Sequence, residues 1–267
     1  MKRDTVVGTF TVAALLCVVC SLLVSGAAVG LRPLQTRNRA LEKKRNILEA
    51  AGIESGRNAA AVDEAFRRIE TRIIDLESGE EVGPETIDPA TYDPVAAARD
   101  PELSVAIPED KDLASIKRRE KYSLVYLVKS DSGEVEQIVL PVRGMGLWGT
   151  LYGFVSIDSD LRTIRGLTFY QHSETPGLGG EVDNPSWKEK WKGKLLFDDG
   201  GDVRIQVSKG TVDSGSPQSK YQVDGLSGAT ITSRGVTNLL RYWFGDHGFG
   251  PYLDELREHE ETDNGSP

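Results

Sequence analysis

The sequence predicts an α+β fold: a mostly antiparallel, twisted sheet with flanking helices, preceded by one N-terminal transmembrane helix. Three observations predict it. Val6 to Leu31 carries no charged residue. Short β-rich apolar runs recur between Tyr122 and Val207, separated by turns rich in Gly, Asp and Ser. Helical spacing of apolar residues precedes that region and returns after residue 232.

The apolar run comes first. At about 1.5 Å per residue its span of roughly 39 Å exceeds a bilayer core of about 30 Å. Ser25-Gly26-Ala27-Ala28 mimics a cleavage site, but a secretory signal has a shorter apolar core. A retained single-pass anchor is expected over residues 1–32. Cys17 and Cys20 lie inside it, and the rest of the chain has no cysteine. The pair has the spacing of a redox motif, yet thiolates are costly in hydrocarbon, so both are expected to act as small apolar fillers. Lys2 and Arg3 flank one end; Arg32, Arg37, Arg39, Lys43, Lys44 and Arg45 flank the other. Counting those charges places the large domain in the cytoplasm, a rule that weakens for long translocated domains.

After Pro33, Leu34 to Ala51 reads as a helix, with Leu34, Leu41 and Leu48 seven apart and Gly52 as its stop. A second helix is expected from Asn58 to Glu77. Val62, Phe66, Ile69, Ile73 and Leu76 make one apolar face there, with Asn58 as cap. Pro84, Pro89, Pro94, Pro101 and Pro108 then mark residues 79–112 as a connector without its own core, either ordered by contact or flexible, laid over the domain surface or a neighbouring protein. Residues 33–112 thus form a helical segment plus a Pro-rich connector. The strands expected are Tyr122–Val128, Val135–Val142, Leu151–Ile157 and Thr163–Gln171. A hairpin of Leu195–Phe197 with Val203–Val207 follows around Asp198-Asp199-Gly200-Gly201-Asp202. Helices are expected at Ser186–Trp191 and Ser233–Phe244. Residues 113–255 are expected to form one domain, and 256–267 a frayed acidic tail.

Composition excludes several functions. The formal net charge is −9 with no basic stripe, which argues against a nucleic-acid partner. His247 and His259 stand apart, so no metal-ligand cluster is expected. Asp158, Asp160, Asp198, Asp199 and Asp202 suit turns better than a calcium site. Trp187 and Trp191 share one helix face and are expected in the core. Gly144-Met145-Gly146-Leu147-Trp148-Gly149 lacks the third glycine of a dinucleotide fingerprint and opens no βαβ unit, so nicotinamide binding is rejected.

Two further runs carry chemistry. Asp224-Gly225-Leu226-Ser227-Gly228-Ala229-Thr230 sets small residues before an open hydroxyl. Ser227, Thr230 and Thr232 are alternatives on chemical grounds, and taken alone the run reads first as an ordinary turn before a helix with Ser or Thr as cap. His172-Ser173-Glu174-Thr175-Pro176-Gly177-Leu178-Gly179-Gly180 is a loop in which His172 and Glu174 form either an acid/base pair or a tether, the tether being favoured.

With the 144–149 run, Trp187-Lys188-Glu189-Lys190-Trp191 and Trp243-Phe244-Gly245, in that order, residues 143–253 resemble the flavin-binding domain of one family, the C subunits of the sodium-translocating NADH:quinone reductase. The resemblance implies flavin mononucleotide (FMN) carried covalently on Thr230 through a phosphodiester bond, with Ser227, Gly228 and Ala229 around it. The 172–180 loop would then bring Thr175, Gly177, Leu178 and Gly179 to the flavin, its glycines letting the backbone approach a flat ring. Trp148 either flanks the flavin or packs on the protein. The resemblance further implies a single-pass protein of the bacterial inner membrane with its large domain in the periplasm, against the charge count. Its partners would be the other subunits of a multi-subunit membrane redox pump and a flavin transferase. The complex would oxidise NADH, reduce ubiquinone and move sodium ions, with this chain relaying single electrons. The related flavin subunit of the ferredoxin:NAD reductase complex is the nearest alternative, and an anchored non-catalytic scaffold the second. The long insert at 34–120 and Gly248-Phe249-Gly250-Pro251 favour the sodium pump.

Overall fold

The computed structural model describes residues 6–56 and 58–264, so Lys2, Arg3 and residues 265–267 of the expected tail lie outside the described residues. The chain divides into two compact units, Met1–Lys43 and Lys44–Pro267.

Helix α1 is Val6–Ala50. It contains an exposed apolar window of mean hydropathy 2.6. Among the described residues it alone is long and apolar enough to cross a membrane. The anchor and the helix expected from Leu34 are one element: α1 runs through Pro33. Proline removes one N–H and crowds the carbonyl four residues back. In a helix of 45 residues the turns on either side keep their own bonds.

The second unit is built on a six-stranded, wholly antiparallel sheet. Its strands are β1 (Ile69–Asp75), β2 (Glu81–Val82), β5 (Tyr122–Lys129), β6 (Val135–Met145), β7 (Thr150–Asp158) and β8 (Ile164–Gln171), in the order β2-β1-β5-β6-β7-β8. Two small pairs sit outside it: β3 (Ser104–Ala106) with β4 (Arg118–Glu120), antiparallel, and β9 (Gln206–Val207) with β10 (Gln222–Val223), parallel. The helices are α2 (Ala59–Phe66), α3 (Pro94–Ala97), α4 (Pro185–Glu189), α5 (Thr230–Trp243) and α6 (Gly250–Asn264).

Several sequence expectations need correction. The helix expected to Glu77 stops at Phe66, and Ile69–Asp75 becomes a strand paired with β5 from Ile69↔Val128 to Asp75↔Tyr122. Asn58 does cap α2, its Oδ1 accepting from the Ala61 N–H at 2.7 Å. Beyond Phe66 the β-branched residues Ile69, Thr71, Ile73 and Ile74 suit a pleated strand, and a seven-residue partner decides the matter. The connector is ordered by contact: Asp93 caps α3, whose Pro94 and Ala97 are buried, and the Tyr92 hydroxyl donates to the Tyr122 carbonyl at 2.8 Å. The 195–207 hairpin shrinks to a single bridge, Phe197↔Val203. Residues 256–264, expected to fray, continue α6.

Alternation buries both faces of the sheet. Ile138, Leu140 and Val142 of β6, with Leu151, Val155 and Ile157 of β7, join Val236, Leu239 and Leu240 of α5 in the main core. The other face holds Leu124, Tyr126, Val139 and Phe154, where Tyr126 and Phe154 meet edge-on with ring centroids 5.9 Å apart. The end of α1 covers part of that face: a Cβ on Gly166 would lie 2.3 Å from the Ala50 carbonyl oxygen. Trp187 and Trp191 are buried as expected, 5.3 Å apart.

A buried ion pair between β6 and β4 backs the contact of α5 with the sheet. Arg143 bonds Glu120 through both nitrogens, at 3.0 and 2.5 Å. Its guanidinium lies 5.1 Å from the Trp243 ring centre, and the Trp243 indole N–H donates to the Arg143 carbonyl at 2.7 Å. Arg143→Met would leave Glu120, 1% exposed, without its cation. Denaturant unfolding of the full chain in detergent should show a loss of about 3–5 kcal/mol, and Arg143→Met/Glu120→Leu a smaller one.

Candidate functional site

Three segments distant in sequence meet beside the start of α5: the turn 146–149 between β6 and β7, the loop 172–180 after β8, and the turn 224–230. A Cβ on Gly144 would come 2.5 Å from Leu239 Cβ, so this glycine lets α5 close onto β6 at the edge of the site. The 144–149 run is therefore packing and turn, as its spacing suggests.

Glu174 joins the segments. It is 5% exposed. Its Oε1 accepts from the Leu147 N–H at 3.0 Å and the Trp148 N–H at 2.9 Å, while its Oε2 accepts from the Thr232 hydroxyl. One carboxylate thus ties the turn, the loop and the first turn of α5. Gly179 sits between its partners: a Cβ there would lie 2.5 Å from Glu174 Oε2 and 2.6 Å from Thr232 Oγ1. His172 is the tether the sequence favoured. Its Nδ1 accepts from the Glu174 N–H at 3.1 Å, and its Nε2 contacts Asp183 Oδ2 at 2.7 Å. That pattern assigns the proton to Nε2 and holds the ring across the loop.

The hydroxyls now separate. Thr232 is fully buried and bonded to Glu174. Ser227 and Thr230 are exposed. Thr230 is the first residue of α5, and buried Ala229 stands at the N-cap position with no side-chain bond. A helix start leaves several N–H groups without intrahelical partners, and alanine is among the poorest caps. The plain-cap reading of 227–230 therefore fails: no side chain there caps the helix. An anion is favoured at such a helix end. Gly228 makes the turn at φ 68°, and a Cβ on it would come 2.9 Å from Leu178 Cδ2. The loop and the turn are thus in contact through Leu178.

Around Thr230 the protein exposes apolar side chains. Trp148 is 65% exposed, Ile231 46% and Leu178 44%, with Leu147 and Met145 beside them. Isolated exposed apolar residues are ordinary, but a group on three adjoining segments forms a surface suited to a flat ring. Thr175 and Gly177 shape the loop: the Thr175 carbonyl accepts from the Leu178 and Gly180 N–H groups, and Gly177 turns at φ 77°. These features fit FMN: an uncapped helix end for a phosphate, apolar side chains for a ring, and glycines permitting close approach. Among the described residues, no three His, Cys, Asp or Glu side chains are placed to hold a metal ion.

Sequence reasoning missed the joining role of Glu174, the burial of Thr232 and the exposed Met145, Leu147 and Ile231. Thr232 lies 58 residues from Glu174, beyond any local signal. It also missed how Asp224 is held. The Asp224 carboxylate accepts from Lys190 Nζ at 2.6 Å and the Val212 N–H at 2.7 Å, and its carbonyl from the Trp187 indole at 2.8 Å. Lys190 first, then the Val212 N–H, hold its carboxyl below the usual carboxylate range.

This fold and site define a flavin-binding domain: residues 146–245 match the FMN-binding domain family. Similarity extends over nearly the whole chain. The C subunit of the Na(+)-translocating NADH-quinone reductase of Pseudomonas aeruginosa is 51% identical over 97% of this chain and 99% of its own length. That of Yersinia pestis is 48% identical over 96% and 95%. The crystal structure of NqrC from Shewanella oneidensis superposes with a TM-score of 0.75 at 37% identity, covering 81% of this chain and 97% of that one. The chain belongs to the family of Na(+)-translocating NADH-quinone reductase C subunits.

Glu174→Ala leaves three donors without their acceptor, and a loss of about 3 kcal/mol is expected in denaturant unfolding. Glu174→Gln, which keeps an acceptor for the turn and a donor for Thr232, should lose less than half of that. Because the Asp224 carboxyl is held low, its contribution is complete above its unfolded value of about 3.9 and is lost as pH falls through its folded value. Stability measured from pH 5 downward should fall less steeply in Asp224→Asn than in the unaltered protein.

Proposed function

We propose that this chain is the flavoprotein subunit of a membrane complex that oxidises NADH, reduces ubiquinone and moves sodium ions, with FMN esterified to Thr230. The observation that carries the attachment is the exposed Thr230 hydroxyl at a helix start that no side chain caps. Thr232 is buried and engaged, which leaves Ser227 as the competing hydroxyl. A phosphodiester on Thr230 would meet the positive end of α5.

When bound, the flavin supplies one-electron redox chemistry. The chain's own residues do the positioning. Thr230 provides the covalent tie, and Leu178, Trp148 and Ile231 provide apolar surface. Gly177 and Gly179 permit backbone approach, and Glu174 keeps the turn and the loop together. No general base is needed for electron relay. The apolar window of α1 has no carboxylate, so sodium movement falls to other subunits. A flavin transferase is the partner that attaches the group. The large domain is proposed to lie in the periplasm, where a covalent bond prevents loss of a cofactor that cannot be replaced there.

The relatives named above carry the sodium-translocating name over almost their full lengths, which favours this reading over the ferredoxin:NAD alternative.

The test is mass spectrometry of protein made in its native host. The peptide containing Thr230 should be heavier by FMN less one water, and Thr230→Ala should lose both that mass and in-gel flavin fluorescence while keeping its melting temperature. A label that persists in Thr230→Ala and disappears in Ser227→Ala would move the site.

A further inference from the structure

A second site lies apart from Thr230. A cavity of about 170 Å³ opens between α3, residues 115–118 and the paired ends of β6 and β7. Its lining includes Arg99, Lys117 and Arg118 with the hydroxyl residues Ser115, Thr150 and Tyr152, and contains no carboxylate. In a chain of net charge −9 that is a local reversal of sign.

The cations divide into two groups. Arg118 is committed to Ser104 and the Pro101 carbonyl, and Arg143, at the cavity's edge, to Glu120. The side chains of Arg99 and Lys117 have no hydrogen-bond or ion-pair partner among the described residues, nor do the hydroxyls of Ser115, Thr150 and Tyr152. Three separate elements therefore bring free donors to one concavity.

The backbone here is strained. Ser115 and Lys117 hold φ of 54° and 63°, a region non-glycine residues seldom occupy. Asp112 enforces it, accepting from the Ile116 N–H at 2.9 Å and the Lys117 N–H at 2.7 Å. Strain held in place by a dedicated carboxylate is a mark of sites that must keep a shape.

We propose that this cavity binds a small oxyanion of the phosphate or carboxylate type. Free cationic and hydroxyl donors without a carboxylate suit such an anion by charge-assisted hydrogen bonds. The volume is ample for a small oxyanion, since a single water needs only about 10–15 Å³ of it. The proposal does not depend on flavin attachment, and its test is independent of it.

Calorimetric titration of the full chain in detergent at low ionic strength tests this, with inorganic phosphate and succinate as separate probes. Saturable binding of either, weakening as salt rises, is expected; the probe preferred identifies the anion. Arg99→Gln/Lys117→Gln should weaken it by roughly tenfold to a hundredfold with the melting temperature unchanged. Arg67→Gln/Lys192→Gln, which removes two exposed cations elsewhere, should leave it intact. No saturable binding of either probe, or equal affinity in the Arg99/Lys117 variant, overturns the proposal. An equal loss in both double variants would reduce the effect to unspecific charge and overturn it too.

Discussion

The site depends on one buried carboxylate. Glu174 accepts two backbone N–H groups from the turn 146–149 and the hydroxyl of Thr232 on α5. Neutral donors satisfy it, so its position is set by geometry at each bond rather than by a long-range charge. Backbone donors on a tight turn have little freedom, and Thr232 is fixed in a helix. The carboxylate consequently defines where the loop 172–180 lies relative to the start of α5. Gly179 makes room for the arrangement, since any side chain there would strike both Glu174 and Thr232.

From that constraint the rest of the site follows. With Thr232 turned inward, Thr230 two residues earlier is exposed, as the geometry of a first helical turn requires. With Ala229 in the cap position, the positive end of α5 has no side-chain acceptor. Leu178, carried by the same loop, reaches the turn at Gly228. Behind these, Trp243 on the Arg143 carbonyl, backed by the Arg143–Glu120 pair, holds the far end of α5 to β6, so the helix is tied down at both ends.

Much of this was legible in the chain itself. The apolar run from Val6, the strands from Tyr122 to Gln171 and helix α5 were readable because each is a local pattern of one period. The 224–230 run and the 172–180 loop were visible as motifs. The misreadings share a cause. Ile69, Ile73 and Leu76 match a helical face as well as a strand, and only pairing with β5 chooses. The anchor and the segment from Leu34 read as two elements, and one continuous helix joins them. The 195–207 segment has hairpin residues, but its strands find other partners, β9 pairing with β10.

Read along the chain alone, the residues specify the class of fold, the long apolar N-terminal helix, the absence of cysteine from the globular part, and the run that holds Thr230. Each follows from composition or from neighbours within a few residues. Folding in three dimensions is needed to show which hydroxyl is open and which is buried, that Glu174 joins three segments, and that basic side chains gather around a cavity whose lining has no carboxylate. Those are contacts between residues as much as 58 positions apart, where no periodicity carries information and packing alone sets the partner.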